Sequence, residues 1–69
     1  MRDQLEKLVQ ELLDKGILYD EARREFEKMF IARALVRSKG NVGDAADLLG
    51  LHRNTIARKM IEYRIKRSA

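Results

Sequence analysis

The segment from Asn41 to Met60, NVGDAADLLGLHRNTIARKM, leaves this chain few ways to fold. Gly50 stands four residues after Ala46, where a turn must close and a positive φ would oppose any side chain. Ala45 and Ala46 are small enough to let one helix lie close on another. Leu49 and Leu51 flank the glycine as apolar plugs, and Ile56 and Met60 return at i, i+4 to seat a second helix on the first. This is the spacing of a helix-turn-helix, two short helices around a glycine turn. Asn54, Thr55 and Arg58 are left on the outside of the second helix, with Arg53 and Lys59 at its margins. They are donors suited to phosphates and to base edges.

Sixty-nine residues make one small domain. A chain of that size buries only about 60% of its unfolded surface, so a single copy is marginal. There is no cysteine, and the one histidine, His52, has no companions at metal-ligand spacing. Neither disulfide nor metal can therefore staple the fold, and association of chains is the remaining remedy. The lack of proline, with 45% hydrophobic and 38% charged residues, points to an all-α fold. No apolar run reaches bilayer length and no signal-peptide core is present, so the expectation is a cytoplasmic protein without a membrane partner. No nucleophile–base pair, apolar carboxylate pair or cofactor loop is visible, which argues against an enzyme and against any cofactor.

The net charge of +4 is modest, but its placement is not. Residues 1–36 carry seven basic and eight acidic side chains; residues 37–69 carry eight against three. The surplus lies in the last twenty residues, where Arg53, Arg58, Lys59, Arg64, Lys66 and Arg67 face only Glu62. A neutral scaffold with a basic end fits a nucleic-acid face, although charge alone is equally a solvated surface.

Four helical segments are expected. The first runs from about Arg2 to Lys15 with Gly16 as its left-handed stop, and Leu5, Leu8, Val9, Leu12 and Leu13 form one stripe. The second is expected from an Asp20 N-cap to about Lys39, stopped by Gly40. Phe26 and Met29 extend its first half as a stripe, and its second half, MFIARALV, is apolar on nearly every side, which demands burial on more than one face. The third, about Val42 to Leu49, is capped by Asn41, and the fourth covers about Arg53 to Tyr63. The stripe of helix one packs either within the subunit or against a second copy. The second is favoured, because one subunit has too little core to bury both that stripe and all sides of Met29 to Val36. The residues expected at a dimer interface are Leu5, Leu8, Val9, Leu12, Leu13, Phe26, Met29 and Phe30.

The block FEKMFIARALVRSKGNVGDAADLLGLHRNTIARKMIEYRI resembles the Fis-type helix-turn-helix family. That module occurs in the nucleoid protein Fis and at the C-terminus of enhancer-binding activators of the nitrogen-regulator type. The motifs that carry the likeness are EFEKMFIARAL, the GN before an AA pair, and LLGLHRNTIARKM, covering well over half of the chain. The resemblance implies an all-α, four-helix Fis-like subunit and an intertwined homodimer. Residues 1–39 would supply two dimerisation helices, residues 41–63 the helix-turn-helix and residues 64–69 a basic, frayed tail. The family's DNA-contacting positions fall on His52, Arg53, Asn54, Thr55, Arg58 and Lys59. Ala57 occupies a position that is basic in Fis itself, and Arg64 stands where the family has glycine, so the last helix is expected to run on or to end under strain. With neither an N-terminal arm nor a GxxxxGK[ST] loop in the sequence, recombination enhancement and ATP-driven remodelling are not expected. The implied partner is double-stranded DNA, within the nucleoid. RNA polymerase or a larger activator joins it if this is the excised end of one.

The expected function is therefore a homodimeric transcriptional regulator that binds duplex DNA by sequence or by shape. The alternative is a helical dimerisation or docking module whose basic end binds an acidic protein. His52 serves better as a phosphate contact or an exposed ring than as a metal ligand. Thr55 is as well read as a helix-stabilising hydroxyl, Tyr63 as the edge of the core, and Ile61 as packing on the tail near Ile65.

Overall fold

Apolar spacing and end signals resolve into four helices in the computed structural model, which describes residues 1–66: α1 (Arg2–Asp14), α2 (Tyr19–Arg37), α3 (Val42–Leu49) and α4 (Arg53–Tyr63). No strand occurs among the described residues. The all-α architecture and the order of its elements agree with the sequence. The outer part of the expected basic tail, from Arg67 on, lies outside the described residues.

Two boundaries differ from expectation. Asp20 is not the N-cap of α2; Leu18 is, two residues earlier. The Leu18 carbonyl already accepts from Ala22, and the Glu21 carboxylate reaches back to accept from the Leu18 N–H at 3.3 Å. Asp20 is thereby free to pair with Arg23 at 3.0 Å. At the other end α2 stops at Arg37 rather than Lys39, because Lys39 and Gly40 both adopt positive φ, +55° and +82°. The Ser38 hydroxyl, 2.8 Å from the Asn41 carbonyl oxygen and 3.1 Å from that of Leu35, bridges the joint to α3.

Both ends of α3 follow the sequence. The Asn41 side-chain oxygen accepts from the Asp44 N–H at 2.9 Å, which satisfies one of the donors the first turn leaves unpaired. Gly50 closes the helix at φ +69°, and the Leu51 N–H bonds back to the Ala46 carbonyl at 2.9 Å. That left-handed residue turns the chain at once into α4.

The core lies among α2, α3 and α4, each of which packs on the other two. Ile31, Ala34 and Leu35 of α2 meet Ala45 and Ala46 of α3 and Ile56 of α4, with Val42, Leu49, Met60 and Ile65 around them. Full burial of side chains such as Leu35 and Ile56 is worth roughly 1.5–3 kcal/mol each. Ala45 and Ala46, almost without exposure, are small enough to let the backbone of α3 lie close on its neighbours.

α1 stands off this core and buries none of its residues. Within one subunit the second half of α2 buries one face; Met29, Phe30 and Val36 on the other sides are half or more exposed. Ile61 does not pack on the described part of the tail. It is 80% exposed, while Ile65 joins the core. The molecule measures 36 × 24 × 20 Å. Its radius of gyration, 13.4 Å, exceeds the roughly 11 Å of a compact domain of this length, because α1 projects.

Candidate nucleic-acid interface

α4 is seated by Ile56 and Tyr63, both buried, and by Met60 at the edge of the core. Helical geometry then decides what remains outside: Arg53, Asn54, Ala57, Arg58, Ile61 and Glu62 are exposed. Among the described residues, neither guanidinium nor the Asn54 amide has a hydrogen-bond or ion-pair partner. These three donor groups therefore share one solvent-facing side, and Arg53 and Asn54 lie in the first turn, at the positive end of the helix dipole.

His52 caps α4. Its Nδ1 accepts from the Asn54 N–H at 3.1 Å, which leaves only Nε2 for a further partner. Among the described residues no group of three His, Cys, Asp or Glu could hold a metal ion.

Thr55 and Lys59 lie differently. Both are half-buried and turn toward α2, where they line a concavity with Phe26, Glu27, Phe30 and Leu51. The Lys59 ammonium sits 3.1 Å from Glu27 Oε1, and the Tyr63 hydroxyl donates to the same oxygen. Lys59 also lies 5.9 Å from the centre of the Tyr63 ring, and Arg23 stands 3.8 Å from the carboxylate. The Tyr63 hydrogen bond and then the Lys59 ammonium hold the Glu27 carboxyl below its ordinary pKa. The same carboxylate pushes the Tyr63 phenol up. Glu27, Lys59 and Tyr63 thus tie α4 to α2.

Of the six residues expected to act together, Arg53, Asn54 and Arg58 share the outer face and His52 adjoins it at the helix start. Thr55 and Lys59 face α2. The tie through Glu27 escaped the sequence reading, since 32 residues separate it from Lys59 and nothing local marks the pair.

Most of the residues expected at a dimer interface also gather. Leu5, Leu8, Val9, Leu12 and Leu13 of α1 face Ala22 and Phe26 of α2 across an open apolar groove of about 490 Å³. Phe26 and Phe30 meet edge to face, their ring centres 5.2 Å apart. Leu13, Phe26, Met29 and Phe30 are each at least half exposed.

Two short helices joined through left-handed Gly50, the second carrying unpaired donors outward, define a helix-turn-helix domain. The family described as "Bacterial regulatory protein, Fis family" matches residues 22–63, more than half of the chain. The chain belongs to that family. It is 47% identical over 57 residues to the DNA-binding transcriptional regulator NtrC of Rhizobium meliloti (strain 1021), covering 75% of this chain and 12% of that protein. The NtrC of Azospirillum brasilense is 43% identical over 49 residues, 71% of this chain and 10% of that one. A putative Fis-like DNA-binding protein of Xylella fastidiosa (strain Temecula1 / ATCC 700964) is 40% identical over 50 residues, 72% of this chain and 56% of its own length. The chain thus spans about a tenth of the two NtrC regulators and about half of the Fis-like protein. No solved structure matches it. Among the described residues no helix is long and apolar enough to cross a membrane.

Proposed function

We propose that this chain is a DNA-binding transcriptional regulator that acts as a homodimer on double-stranded DNA in the bacterial cytoplasm. The carrying observation is the outer face of α4, where the side chains of Arg53, Asn54 and Arg58 stand exposed, without partners among the described residues. An arginine near a helix N-terminus opposes the dipole unless an anion meets it, and the phosphates of a groove supply that anion. Arg53 and Arg58 bind phosphate or guanine edges, and Asn54 pairs with a base edge, each good pair discriminating by roughly 1–3 kcal/mol. His52 meets phosphate through Nε2, and Thr55 lies at the groove edge. Lys59 contributes only by exchanging Glu27 for a phosphate.

The dimer reading rests on uncovered apolar surface. The chain exposes 5979 Å², against about 4,500 Å² for a monomeric domain of 8.1 kDa. The stripe of α1 and the outer side of α2 are among the large apolar surfaces left exposed. Residues 1–39 then serve as the dimerisation segment, and the two copies of residues 41–63 present their recognition helices to successive major grooves of a pseudo-palindromic site. If those helices sit closer than one turn of DNA, the duplex bends to meet both, and flexible base steps are preferred. Where the chain forms part of a larger regulator, it delivers that protein to its site.

Salt titration of binding to duplexes selected from random DNA tests the reading. Arg58→Ala and Asn54→Ala are each expected to weaken binding about tenfold and to relax the preferred sequence, with a shallower salt slope for Arg58→Ala alone. Unchanged affinity and preference in both variants would reject the assigned face.

A further inference from the structure

The outer face of α4 carries two residues that phosphate contact does not use. Ala57 lies among Arg53, Asn54 and Arg58, and Ile61 follows it one turn on; both are exposed, Ile61 by 80%. A single exposed isoleucine on a protein surface is ordinary. Here it continues the line of Ala57 at i+4, on the side where the donors stand. Ala57 is open to approach, because it borders a concavity that also touches Asn41, Gly43, Arg53 and Asn54.

Arg53 to Ile61 spans about 12 Å of helix, close to the width of a major groove of roughly 12 Å. Ala57 sits in the middle of that span and Ile61 at its far end. Neither donates a hydrogen bond, and neither neutralises phosphate. One apolar group is displayed on base edges in the major groove, the 5-methyl of thymine.

Resting on the DNA reading above, we infer that Ala57 and Ile61 form an apolar strip that recognises thymine 5-methyl groups, making this strip a determinant of base preference beside the polar contacts. The strip contributes selectivity where a basic residue would contribute only uniform affinity. Asn54 and Arg58, in the adjacent row of the same helix, fix the register in which those methyls arrive.

Deoxyuridine isolates the effect, since it pairs as thymidine does and lacks only the methyl. The full chain is used to select duplexes from a random pool, and the preferred duplex is remade with deoxyuridine in place of each thymidine in turn. At one or more positions the exchange is expected to weaken binding about fourfold, the worth of one buried methyl. Ile61→Ala, which keeps a helix-favouring residue, and Ala57→Gly are expected to bind while losing that thymidine-over-deoxyuridine ratio. Ala57→Gly also loosens the helix, but this weakens binding to both duplexes alike and leaves the ratio as the readout. Equal binding at every position, or an unaltered ratio in both variants, overturns the inference and leaves the DNA reading standing. Failure to retain any duplex from the pool overturns both.

Discussion

Arg64 shows how a single residue can end a helix at a cost. It sits at φ +55°, ψ +45°, the left-handed region where a β-carbon costs about 1–2 kcal/mol, yet its geometry lets the Ile65 N–H reach the Met60 carbonyl at 2.9 Å and lets Ile65 join the core. Arg64→Gly should therefore stabilise the fold by about 1 kcal/mol once the extra freedom glycine gives the unfolded chain is deducted. Thermal unfolding should show a rise of about 4 °C or more, and Arg64→Ala, equally strained, should show little. Glu27 belongs to the same scale. Its folded-state pKa lies below the ordinary glutamate value, so the stability it contributes is complete at neutral pH and is lost as pH falls through that lowered pKa. Tyr63 is raised, so its share is complete below the usual tyrosine range and is lost as pH rises through the folded value. Glu27→Gln should lower the urea midpoint most between about pH 5 and about pH 9, with the difference from the parent closing toward acid. By releasing the Lys59 ammonium, the same change should steepen the salt dependence of duplex binding by about one phosphate contact. A merely weakened fold would bind less without steepening, and that outcome would assign Lys59 a structural role alone.

Among the elements, α1 is the one whose amphipathic face stays largely uncovered within the subunit. Its leucine stripe has the i, i+3, i+4 spacing of a buried face, yet Leu5, Leu8 and Val9 each keep 45% of their surface and Leu13 keeps 69%. Leu8→Glu should consequently change the stability of a single chain by less than about 0.5 kcal/mol, as surface substitutions do, while abolishing association. Sedimentation equilibrium separates these effects. A variant that still forms dimers would place the interface elsewhere. The helix-turn-helix elements were the most legible part of the sequence, because local chemistry fixes both their ends. Asn41 caps α3 through its own side chain, and Gly50 supplies the φ that no other residue adopts freely. The start of α2 was less legible. Asp20 has the better capping chemistry, but the Glu21 carboxylate, three residues after Leu18, holds the earlier N–H and the chain enters the helix there.

For the molecule as a whole, the excess of exposed area and the projecting α1 lead to a thermodynamic expectation. If folding and pairing are coupled, the unfolding midpoint depends on protein concentration, and each tenfold increase adds about 1.4 kcal/mol per mole of dimer. Urea unfolding at concentrations a hundredfold apart should show the midpoint rise; coincident curves would indicate a monomer that folds by itself. The candidate site was legible only in outline at this scale. Asn54 and Arg58 could be placed on the outside from the positions of Ile56, Met60 and Tyr63 alone, since a helix wheel needs nothing but spacing. Which flank of α4 meets α2, and hence that Thr55 and Lys59 turn inward, depends on how the helices cross.

The sequence alone determined four helices, a glycine-hinged pair of them and a basic end, because turns, caps and apolar periodicity act over a few residues and are written where they act. Only the tertiary structure decided that Glu27 holds Lys59 and Tyr63, that Thr55 and Lys59 turn toward α2, and that within one subunit α2 buries a single face. Those outcomes depend on the packing of helices far apart in the chain, and packing is set by shape in three dimensions, which no local pattern encodes.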